Sequence, residues 1–283
     1  MTLQAAGDIS MSQVNTELQQ SSSSTLSLGD AAFRALSKIP SGTIRLSDMY
    51  GKTYYTQASI AAWMDANLLN VFRWCIGGDD TYDANVNGGP YVRYVESSTY
   101  TGNFSLSGAS IVGTSKFDVI VGITGCSPSF ADVTIAGSGV SITSVSDHNN
   151  NTEQVTRVLH CSGDFRNLTS VSCTWNHVAA NRGSWCGMMV VPGNWTVVAA
   201  GNQGTYTLPA NTLSFMTAYS GGDDDPRYWI TDTGGMRYKQ TDAWWYNNGG
   251  TGAFVNAGAA ARTGSMGVIN VNLLLLQTLD SVQ

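Results

Sequence analysis

The chain has 283 residues, 14 basic against 20 acidic, giving a net charge of -6, and only 12% of its residues are charged, where an average soluble domain carries roughly a quarter. Gly, Ser, Thr and Asn together fill 110 positions, a composition poor in helix formers and rich in turn and strand residues. With 42% hydrophobic and 10% aromatic side chains there is material for a buried core, which excludes general disorder; with four lysines and no basic cluster there is nothing to neutralise phosphates, so neither nucleic acid nor an anionic membrane is an expected partner.

No Lys or Arg precedes Arg34, and the longest purely apolar run near the C-terminus is Leu273 to Leu276. Neither a signal peptide nor a membrane span is therefore expected. The cysteines Cys75, Cys126, Cys161, Cys173 and Cys186 are odd in number and widely spread, which points to mostly reduced, buried thiols, with room for one bridge such as Cys161 to Cys173.

The first fifty residues hold an internal repeat. Asp8-Ile9-Ser10-Met11-Ser12-Gln13, Thr25-Leu26-Ser27-Leu28-Gly29-Asp30 and Thr43-Ile44-Arg45-Leu46-Ser47-Asp48 share one pattern, with two apolar residues spaced by one polar residue, then a small and a polar residue, every 17 to 18 residues. Apolar residues two apart suggest a very short strand, and the small-polar pair that follows is helix N-terminus chemistry, so each unit is expected to be a strand then a short helix. The first helix carries Met11, Val14 and Leu18; the second carries Ala32, Leu36 and Ile39 beside Phe33, and Pro40 stops it. Ser21 to Ser24 is expected to be a mobile link or surface loop.

Units of this size are too small to bury their apolar faces alone. They are expected to dock onto another protein through Ile9, Met11, Val14, Leu18, Leu26, Leu28, Phe33, Leu36, Ile44, Leu46, Met49 and Tyr50, or else to pack on the rest of the chain.

Residues 54–75 are expected to be a connecting segment, either a bridge or one more short helix with Ile60, Trp63 and Met64 on one face. From 76 to 283 short apolar runs alternate with Gly, Asn, Ser and Pro clusters: Tyr91 to Val95, Phe117 to Ile123, Val155 to His160, Leu168 to Trp175, Trp195 to Ala200, Leu213 to Tyr219 and Val268 to Leu276. That spacing predicts a mainly β domain, an antiparallel β-sandwich or jelly roll. In Phe117 to Ile123 and in Val268 to Leu276 the odd positions are apolar, so each strand has one committed core face. The second half of the final run is apolar on both faces, because Leu274 and Leu276 stand where Asn270 and Asn272 face solvent. Something must cover them, either the N-terminal units over the sandwich or a neighbouring subunit; an exposed leucine pair invites aggregation, and the neighbour, in a homo-oligomer, is the expected cover.

The segments Ile9-Ser10-Met11-Ser12-Gln13-Val14-Asn15-Thr16-Glu17-Leu18, Leu26-Ser27-Leu28-Gly29-Asp30-Ala31-Ala32 and Ile44-Arg45-Leu46-Ser47-Asp48-Met49-Tyr50-Gly51-Lys52 together resemble a stretch recurrent in virion structural proteins of tailed bacteriophages, commonly tail, fibre or baseplate components. The resemblance covers about the first 53 residues. It implies a docking module at residues 1–53, other phage virion proteins as partners, a place in the virion after assembly in the bacterial cytoplasm, and no catalytic residues.

Candidate chemistry is sparse. Gly51-Lys52-Thr53 ends like a phosphate-binding loop, but Leu46 stands where the first glycine belongs. Asp83, Asn85 and Asn87 with Gly88 match the opening of a calcium loop, yet the twelfth position is Tyr94 rather than a bidentate Glu, so an ordinary turn is the main expectation and calcium the alternative. Cys161, Cys173, His160 and His177 lack the paired short spacing of a zinc site, and no nucleophile motif occurs. Tryptophans in polar segments, Trp229, Trp244 and Trp245 with Tyr246, suit either a bacterial surface glycan or a subunit contact. The expected function is a non-enzymatic, tail-associated structural component without a cofactor; the alternatives are a host-receptor or glycan-binding module and a head decoration or head-fibre protein.

Overall fold

The structure is a computed structural model, and it describes residues 3–4, 6–18, 21–37, 39, 41–50, 57–73, 91–95, 98–106, 114, 116–125, 127–151, 153–177, 182–193, 195–202, 205–220, 230–232, 248–258, 260–266 and 271–278. The N-terminal part contains α1 (Met11–Glu17), α2 (Ala31–Ser37) and a 3-10 turn at Leu46–Met49. α3 (Gln57–Val71) leads into β1 (Phe72–Arg73), β2 (Tyr91–Val95), β3 (Ser98–Ser105), β4 (Lys116–Gly125), β5 (Ser129–Gly137), β6 (Ser141–Asn151), β7 (Gln154–Ser162) and β8 (Leu168–His177). There follow β9 (Arg182–Pro192), β10 (Trp195–Asn202), β11 (Thr205–Leu208), β12 (Thr212–Ser220), β13 (Ile230–Asp232), β14 (Asn248–Asn256), β15 (Arg262–Met266) and β16 (Val271–Thr278).

The fold is mainly β, as expected, and all the strand pairs among the described residues are antiparallel. A six-stranded sheet runs β1-β9-β4-β7-β6, with β2 also on β9; a four-stranded sheet runs β10-β16-β12-β14; two three-stranded sheets run β3-β8-β5 and β11-β15-β13. The six-stranded sheet is the middle layer. One of its faces places Phe117, Val119, Val121 and Ile123 of β4, with Cys186, Met188 and Val190 of β9, against Phe104, Val171, Cys173 and Trp175 of the β3-β8-β5 sheet. Its other face places Ile120, Val158, Met189 and Val191 against Leu213, Phe215, Ala253 and Val255 of the four-stranded sheet.

This corrects the single core face expected for Phe117 to Ile123. Every residue of β4 after Lys116 is buried, because alternation sends odd positions to one neighbouring layer and even positions to the other. A strand buried on both faces reads as a near-continuous apolar run, and Val119-Ile120-Val121 and Met188-Met189-Val190-Val191 have that character. The segment expected to connect the domains, with a helix as one form, contains the helix α3, and Ile60, Ala61 and Met64 of that helix are buried in the second cluster. Trp63 is partly buried, touches both clusters and meets Phe165 edge-on at 6.3 Å. Gln57 Nε2 donates to Asn211 O at 2.7 Å, tying α3 to the turn before β12.

Two layers approach closely at Gly122, where a Cβ would lie 2.4 Å from Thr217 Cγ2 and 2.5 Å from Phe215 Cε1. Gly122→Ala should therefore lower stability by about 1–3 kcal/mol through overpacking. Chemical denaturation checks this, and adding Thr217→Ser, which removes the nearer methyl, should recover part of the loss.

Candidate functional site

The N-terminal repeat builds the same turn three times. In each copy the backbone N–H between the two apolar residues donates to the side-chain oxygen three residues on: Ser10 N to Gln13 Oε1 at 2.7 Å, Ser27 N to Asp30 Oδ2 at 2.8 Å and Arg45 N to Asp48 Oδ2 at 2.7 Å. In the first copy Ser10 Oγ also accepts from Gln13 N at 3.2 Å, which completes a capping box. The side chain takes the hydrogen bond that a strand partner would otherwise supply. The expected short strands are accordingly absent among the described residues of this module, and extended residues lead directly into a helical turn.

Of the residues expected on the helices, Met11 and Val14 lie in α1 and Ala32, Phe33 and Leu36 in α2, while Leu18 caps the end of α1 and Ile39 lies beyond the end of α2. Val14, Leu18, Phe33, Leu36, Ile44 and Met49 are buried together with Leu3 in a cluster separate from the two sandwich cores. The premise that the three units cannot bury their apolar faces is thereby corrected, since the faces are turned on one another. Of the residues expected at a docking surface, Ile9, Met11, Leu26 and Leu46 are half-buried at the margin of this cluster, and Leu28 and Tyr50 are each 37% exposed.

Three further contacts close the module. The Tyr50 hydroxyl donates to Gly7 O, joining its last and first turns. The Arg34 guanidinium donates to Ile39 O and Gly42 O. Buried Asn15 donates through Nδ2 to Ser22 O at 3.3 Å and Ser24 O at 2.7 Å, so Ser21 to Ser24, expected to be a mobile link or a surface loop, is a surface turn tied to α1.

The other expected site residues divide between the described strands and the rest of the chain. Leu274 and Leu276 lie in β16, which is hydrogen-bonded to β10 on one side and β12 on the other; Leu274 pairs with Phe215 and Leu276 with Leu213. Asp83, Asn85 and Asn87, and Trp229, Trp244, Trp245 and Tyr246, lie outside the described residues, as does Gly51-Lys52-Thr53. Among the described residues no group of three His, Cys, Asp or Glu side chains is placed to hold a metal ion. Cys161, Cys173 and Cys186 are buried, and the bridge from Cys161 to Cys173 is not formed. Burial pushes the Cys161 thiol up to about 12, away from the thiolate form that reacts or binds metal.

Sequence reading did not single out the pair formed by Asp118 and His160, which face each other across β4 and β7. Asp118 is buried, with His160 Nδ1 at 2.8 Å from its Oδ1 and the Trp195 backbone N–H donating to its Oδ2 at 2.6 Å. Trp195 opens β10, and its Nε1 donates back to Pro192 O at 2.7 Å. One carboxylate thus clamps the corner where the chain leaves the middle sheet for the next layer. Burial pushes the Asp118 carboxyl up, opposed by His160 and the Trp195 N–H; the hydrogen bond to Asp118 holds His160 above its ordinary value. Such a pair resembles the base-and-orienter half of a hydrolytic site, but both of its partners serve the corner.

The chain matches no family model and no curated protein. No helix among the described residues is long and apolar enough to cross a membrane.

Two outcomes follow from this geometry. Asp30→Ala or Asp48→Ala removes one acceptor, which should destabilise the module by about 1 kcal/mol; amide exchange at the freed N–H should quicken about fivefold, and Asp48→Asn, which keeps an oxygen, should change little. The second concerns pH. A raised histidine pKa contributes stability that is complete below the ordinary value near 6.5 and is lost as pH rises through the folded value. Unfolding free energies measured from pH 5.5 to 9 on the native chain and on His160→Gln should diverge at the acid end and converge at the alkaline end, by about 1 kcal/mol after allowing for screening at the ring's open edge.

Proposed function

We propose that the chain is a non-enzymatic structural component of a tailed phage virion, tail-associated, docking through its N-terminal module and presenting the β domain outward. The observation that carries this reading is the module itself. Three copies of one capped turn, in the sequence that resembles the recurrent phage segment, close a core of their own, as an attachment unit joined to a separately packed domain would require. The low charge and the hydroxyl- and glycine-rich strands suit a protein held in a permanent assembly.

Deleting residues 1–53 tests the reading. The truncated chain, supplied to phage lacking the native gene, should be soluble and folded by circular dichroism yet missing from purified particles by immunoblot. Normal incorporation of the truncated chain would move attachment elsewhere, and absence of the native chain from particles would end the virion assignment.

A further inference from the structure

The middle sheet is shielded between two layers along β4 and β9, but at β6 it emerges. Ser141, Thr143, Ser144, Val145 and Asp147 are exposed, and among the described residues no strand pairs with the outer side of β6. Val145, 50% exposed, is the most open of the large hydrophobic residues described. Free edges are normally guarded by Lys, Pro or bulges. β6 contains neither Lys nor Pro, and its bulges lie between Ile142 and Ser144 and between Asn149 and Asn151. They leave Ser144 to Asn149 in unbroken register with β7, a straight run long enough to accept another strand. The single charge in the run, Asp147, is already held by Arg157 at 2.6 and 2.8 Å.

We propose that β6 pairs antiparallel with β6 of a second copy of this chain, about a two-fold axis through Val145, joining two six-stranded sheets edge to edge. The inference rests on this edge and not on the virion reading. A second copy is selected by the chemistry of the run. A two-fold axis normal to the sheet keeps each residue on its own face, so it must pass through a residue position. Centred on Asp147 it sets two carboxylates opposite each other, which is destabilising; centred on Ser146 it sets each exposed valine against an aspartate. Centred on Val145 it brings the two valines together, removing apolar surface from water, and sets Ser144 opposite Ser146 of the other copy, a hydroxyl pair that stabilises sheets.

Light scattering on the full chain tests the proposal. The native protein should have an even number of subunits, and Val145→Lys, which places two ammonium groups at the axis, should halve its mass while its circular dichroism stays that of a folded β protein, with a lower melting temperature because association no longer adds to stability. A cysteine pair reads the register directly, because residues opposite each other across antiparallel strands lie within disulfide reach while diagonal ones do not. Mild oxidation of Val145→Cys should give a covalent dimer on a non-reducing gel, and neither Ser144→Cys nor the native chain should do so. A monomeric native chain at its highest soluble concentration, an unchanged mass for Val145→Lys, or no covalent dimer from Val145→Cys would each overturn the proposal; should Val145→Lys fail to fold, the cysteine result decides.

Discussion

Burial of one sheet on both faces is the constraint from which the rest of the β domain follows. A strand with no solvent face is costly for a polar side chain without a partner, and β4 fills both alternations mainly with apolar residues, with a glycine where the next layer comes close and an aspartate whose two oxygens are engaged. The layers on either side are then free to be polar outward. The β3-β8-β5 sheet places Phe104, Val171, Cys173 and Trp175 inward, while Thr101 and Thr174 join hydroxyls at 2.9 Å on its other side. Low charge and high hydroxyl content are thereby reconciled with a large core.

The buried carboxylate illustrates why such a stack needs polar anchors as well as apolar area. Hydrophobic contact is non-directional, so it holds two sheets together without fixing where the chain crosses between them. Asp118 fixes that crossing. Its hydrogen bond to the Trp195 N–H sets the first residue of β10, and Gly193, at φ +93, takes the turn that a residue with a Cβ rarely adopts. Removing the acceptor would strand a buried N–H, whose loss is larger than the gain from making the bond. The partner His160 makes this anchor responsive to pH, although it lies at a corner of the scaffold.

What the sequence disclosed, and what it concealed, follows the same physics. The strands around Phe117, Val155, Leu168, Trp195 and Leu213 were legible because they carry β-branched and aromatic residues in runs bounded by turn residues. β5 and β6 were not: apart from Val145 their exposed positions are small or polar residues, Ser, Thr, Asp, Ala and Gly, and an edge strand's pattern is set by its one buried neighbour rather than by its own side chains. The double burial of β4 was concealed by the very alternation that revealed it as a strand, since Asp118 and Gly122 read as solvent-side residues until their partners across the layer are known. In the N-terminal repeat the polar position was visible, but its role was not. Strand and capped turn begin with the same extended residue, and they differ in whether a backbone or a side chain takes its N–H.

That difference also bears on where a partner of the N-terminal module would touch it. The helical positions Val14, Leu18, Phe33, Leu36 and Met49 point into the module's own core, so they supply its stability and are closed to contact. The second apolar position of each copy is treated differently: Met11 and Leu46 are half-buried and Leu28 is exposed. Three equivalent side chains therefore lie at or near the surface, each beginning a helical turn whose preceding N–H is already capped, and Tyr50 stands exposed beside the last of them while its hydroxyl ties the module shut. Capping matters here because an extended segment with a free N–H would invite strand pairing, whereas a capped one presents its side chain alone. If the module attaches the chain as proposed, these three positions are open to contact, and the buried residues that first suggested an apolar docking face act one step earlier, by holding the module together.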